Sequence, residues 1–164
     1  MPAGTDSAQG LLDATRHSRH ARCAVCSQAC ACGLGLRFVR LDDGSVEAPF
    51  VCAAAHQGYD GILHGGIACA LLDGAMTNCL FSYGVAAVTA EISVRFHHPI
   101  EVGETSIVRA WLSRSHGSLH TVRAEVTQDG RVKASATGKF MKQIPDGMLG
   151  EAGGPGAVPR HPAG

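Results

Sequence analysis

Three features within ten positions carry most of the chemistry legible in this chain. His64-Gly65-Gly66 opens an almost uncharged run, and Asp73 stands in the middle of it. From Ile67 to Phe81 the only other clearly polar side chains are Thr77 and Asn78. A helix apolar on nearly every side is a buried one, and a carboxylate inside it is costly unless paired or used. Asp73 and Thr77 are four residues apart and share a face. The same stripe runs back through Ala70 and Cys69 to Gly66, all small, leaving room for something other than protein side chains. At the helix start, unpaired backbone N–H groups and the positive dipole end favour a negative oxygen. Gly65 and Asp73, however, lie roughly 12 Å apart along the axis. If both act on one carbonyl, two such helices must lie side by side, so the expectation is a homodimer with composite sites.

The elements that must position these residues follow in order. Residues 1–20 are expected to be a flexible segment with a short helix around Leu11–His17 and no core-forming face. Leu34–Leu41 alternates as a strand, Asp42-Asp43-Gly44 is turn chemistry, and Ser45–Val51 returns as a second strand. After the helix, Tyr83-Gly84 supplies a glycine near its C-terminus. Val85–His97 reads as a long strand with Val88, Ala90, Ile92, Val94 and Phe96 on one face, ended by Pro99. Glu91 falls on the face opposite Thr89, exposed or at an interface. Thr105–Ser113 and Leu119–Gln128 follow, with a break at Ser115-His116-Gly117; His116 and His120 flank it as surface residues. Asp129-Gly130 is a hairpin signal, and Arg131–Ile144 is the last strand. Two strands, one buried helix and four antiparallel strands make an α+β layout. The expected domain spans 21–144, with 145–164 a disordered Gly/Pro-rich tail.

Bulk properties exclude several classes. Lys plus Arg and Asp plus Glu balance at 14 each, so no broad field attracts nucleic acid. No apolar run reaches membrane-spanning length, and the N-terminus lacks the order of a signal peptide. Seven cysteines is an odd count, which suits a reducing cytoplasm better than a disulfide scaffold. Cys23, Cys26, Cys30 and Cys32 are weak candidates for a zinc site; reduced, packed cysteines are the preferred reading, with no metal and no cofactor.

The residues resemble a known family, the hotdog-fold acyl-CoA thioesterases of the phenylacetyl-CoA and 4-hydroxybenzoyl-CoA type. The resemblance rests on Gly58-Tyr59-Asp60-Gly61-Ile62-Leu63, His64-Gly65-Gly66, Leu71-Leu72-Asp73, Val88-Thr89-Ala90, Val94-Arg95-Phe96 and Pro99, within residues 21–142. It implies a hotdog fold, an antiparallel sheet wrapped around one long central helix. It also implies hydrolysis of an acyl- or aroyl-CoA to the free acid and CoA. Gly65 would hold the thioester oxygen, and Asp73 of the neighbouring chain would act as general base or as nucleophile. Thr77 matches a hydroxyl that positions water in some relatives, Thr89 a Ser/Thr lining the reaction centre in others, and His64 would fix the loop. Gly66 belongs to the same substrate-binding turn. Many relatives carry Asn or Gln six residues before the histidine, where this chain has Gly58; the amide here is Gln57.

CoA carries phosphates and so calls for a local basic patch. Arg95, His97, His98 and Arg114 are the candidates, with Lys139 and Lys142 on the last strand, and the His97-His98 corner is preferred as a group. Cys69, Ala70 and Gly74 make the cleft side of the helix small. The resemblance further implies homodimers that often pair into tetramers. Two alternatives stand beside hydrolysis: a hotdog hydratase or dehydratase acting on an enoyl or 3-hydroxyacyl thioester, and a non-catalytic acyl-CoA- or metal-binding protein.

Overall fold

The computed structural model describes residues 4–30 and 33–142. Helix α1 (Gly4–Arg19) is followed by β1 (Val39–Arg40), β2 (Val46–Val51), α2 (Gly65–Phe81), β3 (Ala87–Phe96), β4 (Thr105–His116), β5 (Leu119–Gln128) and β6 (Arg131–Lys142). The strands form one antiparallel sheet in the order β1-β2-β4-β5-β6-β3. Helix α2 packs against β2 through β6. This is the hotdog arrangement, with a central helix of ordinary length, 17 residues. No described helix is long and apolar enough to cross a membrane.

Close approach of helix to sheet depends on a missing side chain. A Cβ at Gly138 on β6 would meet Phe140 Cε2 at 2.7 Å and Met76 Sδ at 3.0 Å. The sheet is thus hollowed at that point to admit Met76, which is fully buried. The tight turns follow their sequences. Asp129 (φ 52°) and Gly130 (φ 70°) both take the left-handed conformation, as a two-residue hairpin requires. Gly84 (φ 70°) ends the exit from α2.

Several expectations need correcting. The first strand is only Val39–Arg40, because the backbone of Leu34 and Leu36 instead donates to Ala24 O and Val25 O. The N-terminal helix extends over Gly4–Arg19 and does reach the core, with Leu12 fully buried and α1 packed on α2. Gly74 is not part of a cleft: a Cβ there would lie 2.4 Å from Val25 Cγ1, so the loop after α1 fills its place. His120 is buried rather than superficial, and its Nδ1 lies 3.0 Å from Ser115 Oγ. His116 is exposed as expected.

Strand β3 departs from strict alternation in a way that matters for the site. Its register against β6 shifts between Thr89 and Glu91, leaving Ala90 as an extra residue. Thr89 pairs with Phe140, Ile92 with Gly138 and Val94 with Ala136, all helix-facing positions. Val88 pairs with exposed Met141, and Glu91 with Lys139. Val88 therefore does not share a face with Ile92, Val94 and Phe96; Thr89 does. Bulges often re-aim a side chain next to a functional site.

The six cysteines among the described residues are free thiols. Burial pushes Cys79 up to about 12, so it is protonated at neutral pH. Cys32 lies outside the described residues, as do 143–164, including the expected tail and the last two residues of the final strand.

Two predictions arise here. Gly74→Ala must displace Val25 and is expected to cost about 1–3 kcal/mol in a denaturant melt, with faster hydrogen exchange from Cys23 to Cys26. Burial, and secondarily Lys142, holds His120 below its ordinary 6.5. The unfolded chain then takes up this proton at higher pH than the folded one, so stability falls as pH drops below about 6.5. Melting temperatures at pH 7.5 and 5.5 should diverge less in His120→Gln than in the parent. An equal divergence would remove His120 as the cause.

Candidate active site

The site is assembled where α2 begins. His64 is the N-cap, in extended conformation, and its Nδ1 accepts the Gly66 N–H at 2.9 Å. The next two amides, Ile67 and Ala68, donate to His64 O. The Gly65 N–H is left without an acceptor among the described residues. Histidine here builds the helix start, and the hydrogen bond fixes the Nδ1 atom as acceptor. Gly66 must be small, since a Cβ would lie 3.0 Å from that same Nδ1.

Gly65 borders an open pocket of about 380 Å³, lined by apolar Ile62, Leu63, Ala68, Phe96 and Ile100, with Tyr59, His97, His98 and Pro99. Phe96 closes directly on Gly65, 3.6 Å from where its Cβ would be. The His97-His98 corner is held in place because both backbone amides donate to Lys133 O, at 2.8 and 3.1 Å. Behind it, the buried Gln128 side chain bonds both the N–H and the carbonyl of Glu101. The pocket thus joins the Gly65 backbone donor to largely apolar side chains, with two histidines in its lining.

Asp73 sits two turns further along α2, half-buried. Its Oδ1 accepts from Thr89 Oγ1 at 2.7 Å. That bond exists because the bulge at Ala90 brings Thr89 to the helix side. Thr77, one turn beyond Asp73, is buried. The helix therefore divides in two. Gly65, Gly66, Ile67, Cys69, Ala70 and Asp73 keep some exposure, whereas every residue from Gly74 to Phe81 is buried.

The other sequence candidates are dispersed. Gln57 Oε1 accepts the Gly61 N–H at 3.2 Å and so closes the loop before His64. Gly58 lies against His64; a Cβ would be 3.2 Å from its Cα and its Cδ2. Arg95 is exposed on the outer sheet face beside Trp111 and Arg123, away from Gly65. His97 borders that outer hollow as well, with Nε2 2.9 Å from Ser135 Oγ. Lys139 pairs with Glu91 at 2.8 Å; Arg114 and Lys142 are exposed. Of the cysteine candidates, Cys23 and Cys26 come together, joined by His20 rather than by Cys30. The sequence signal for His20 is its place three residues before Cys23, the spacing that separates Cys23 from Cys26.

Comparison with known proteins bears on the fold and the family. Residues 60–135, from the loop before His64 to β6, match the family model described as "Thioesterase superfamily". Over 119 residues, 70% of this chain, the sequence is 26% identical to "Acyl-coenzyme A thioesterase THEM4" of Bos taurus. The match covers 49% of that protein, so the chain spans about half the length of the curated relative. The PaaI protein from the phenylacetic acid degradation operon of E. coli superposes with a TM-score of 0.70 at 21% identity, covering 83% of this chain and 96% of that one. The smu.793 protein of Streptococcus mutans, solved with acetyl CoA bound, gives 0.62 at 22% identity, covering 66% and 88%.

One consequence of the cap is testable. His64→Ala removes the acceptor for the Gly66 N–H and is expected to cost about 0.5–2 kcal/mol, with faster hydrogen exchange at Gly66 than at Leu80. Unchanged exchange at Gly66 would mean that the cap contributes nothing to the helix start.

Proposed function

We propose that this chain, a hotdog-fold member of the thioesterase superfamily, hydrolyses acyl- or aroyl-CoA thioesters to the free acid and CoA. The observation that carries this reading is the unpaired Gly65 N–H at a helix start, bordering an apolar pocket. An apolar pocket suits an acyl group or the pantetheine arm. A fixed donor at the positive helix end suits the oxygen that becomes negative when a thioester is attacked.

In the proposed reaction a water attacks the thioester carbonyl while Asp73 of a second subunit accepts its proton. The C–O bond forms, and the carbonyl oxygen takes its negative charge against Gly65 N–H. Collapse breaks the C–S bond, and the proton held by Asp73 passes to the departing CoA sulfur. Thr89 orients the carboxylate through the 2.7 Å hydrogen bond, leaving its other oxygen for water. Direct attack by Asp73, giving a mixed anhydride that water then opens, uses the same two groups. Thr77, buried one turn on, would steady water beneath Asp73. His97 and His98 at the pocket rim would meet the CoA moiety.

The sharing of sites between subunits is supported by two features. Gly65 and Asp73 lie roughly 12 Å apart along one helix, and β3 is a ten-residue edge strand with Val88, Ile92 and Phe96 exposed. An unpaired edge of that length is a template for a second strand. Pairing of two β3 edges would bring two Asp73–Thr89 pairs to one interface; dimers of this kind would then associate as tetramers. The free thiols suit a reducing compartment such as the cytoplasm. A second reading, acyl-CoA binding without turnover, draws on Gly58, which puts no side-chain amide at that position, and on Gln57, whose Oε1 is taken up by the Gly61 N–H.

The test is hydrolysis of short, medium and aromatic acyl-CoAs, followed by thioester absorbance to avoid interference from protein thiols. Asp73→Asn should lower kcat about 10²–10⁴-fold while remaining folded and still binding CoA esters. Mixed dimers of Asp73→Asn with a Gly65→Pro chain should recover activity, because one of their two sites is intact. Wild-type rates in Asp73→Asn would sink the hydrolytic mechanism. Binding without turnover by the parent would favour the second reading.

A further inference from the structure

The loop that follows α1 holds a cluster that the proposed reaction leaves unused. His20, Cys23 and Cys26 place their ligand atoms within 4.8 Å of one another. Cys26 Sγ lies 3.8 Å from His20 Nδ1. Donors bound to one tetrahedral zinc at about 2.0–2.3 Å stand about 3.6–3.8 Å from each other. The cluster is therefore near the spacing of a filled site, with only small closure needed.

The backbone is organised around these donors. Cys23 N–H donates to His20 O at 3.1 Å and Ser27 N–H to Cys23 O at 3.1 Å, two successive turns that bring residues 20, 23 and 26 to one side. Val25 N–H points at Cys23 Sγ at 3.3 Å, a contact that stabilises sulfur carrying negative charge. The surroundings are rigid. His20 packs edge-on against Phe81 at the end of α2, with centroids 4.9 Å apart. Cys26 is buried beside Asn78, which is also buried and leaves its Oδ1 without a partner. Val25, between the two cysteines, is locked into the space above Gly74.

We propose that His20, Cys23 and Cys26 form a binding site for one zinc-class divalent cation, which fixes the shape of the loop that packs on the back of α2. Two thiolates and an imidazole are a donor set for a borderline-soft, four-coordinate ion. The fourth position is open among the described residues and borders a hollow of about 400 Å³ lined by Arg16, His17, Gln28 and Arg37. The ion sits behind the helix, on the side away from the Asp73–Thr89 pair, and its role is structural.

Titration of the reduced full-length chain, stripped of metal, with Co(II) tests this directly. One equivalent should produce a sulfur-to-cobalt charge-transfer band in the near ultraviolet and tetrahedral d–d bands in the visible, both bleached by one equivalent of Zn(II). The bands should vanish in Cys23→Ser and Cys26→Ser, weaken and shift in His20→Ala, and persist in Cys69→Ser. Zn(II) should raise the melting temperature of the stripped parent by several degrees. A featureless titration of the parent overturns the proposal whether or not the variants fold. So do bands that survive in both cysteine variants, or a Cys23–Cys26 disulfide found by mass spectrometry in place of bound metal.

Discussion

A helix without a polar side has to be covered all the way round, and that requirement organises this molecule. In α2 the residues from Gly74 to Phe81 are all buried. One curved sheet covers only one side. Its approach is made close by Gly138, where Met76 enters the sheet. The other side falls to the N-terminal segment: α1 packs across it, Val25 takes the place of a side chain at Gly74, and Cys26 meets Asn78. Burying apolar surface at about 25 cal/mol per Å² rewards such coverage only where the fit is tight. The N-terminal segment is thus part of the core.

What the covering leaves bare is as informative as what it hides. The first half of α2 keeps some exposure at Gly65, Gly66, Ile67, Cys69, Ala70 and Asp73. At its start stands an unpaired amide, and two turns on a carboxylate tethered to the edge strand. Both lie where the chain's own sheet stops. A buried carboxylate with no partner would be costly; one hydrogen-bonded by Thr89 and half open to solvent is not. The chemistry sits on a rigid helix while the boundary of the fold supplies access.

Much of this was legible in the sequence, and the reasons are specific. The Ile67–Phe81 helix and the Asp129-Gly130 hairpin rest on short-range signals and stand where the sequence puts them; six strands follow in the expected order, the first of them much shorter. His64 was read as a loop-fixing residue, and its Nδ1 bond to Gly66 gives the atom that does it. Most of the departures share a cause, contact between segments distant in the chain. Leu12 and Val25 reach α2 only in three dimensions, so α1 was read as lacking a core face and Gly74 as cleft lining. The strand at Leu34–Leu41 alternates well, yet its first residues bond back to Ala24 and Val25. His120 reads as a turn residue until β4 extends to His116 and encloses it. The interruption of β3 leaves no trace in composition, since Thr-Ala-Glu alternates as smoothly as its neighbours.

That interruption has an evolutionary corollary. Ala90 contributes no side chain of note; it contributes one residue of length. Exchange for another small residue leaves the count intact, and so keeps Thr89 turned to Asp73 and Glu91 turned to Lys139. Loss of that one codon would restore regular pleating with Thr89 still opposite Phe140 and Glu91 still opposite Lys139. The position is thus forgiving both of missense change and of deletion. What descent has to conserve is the side of the strand on which Thr89 stands, not the count of residues in it.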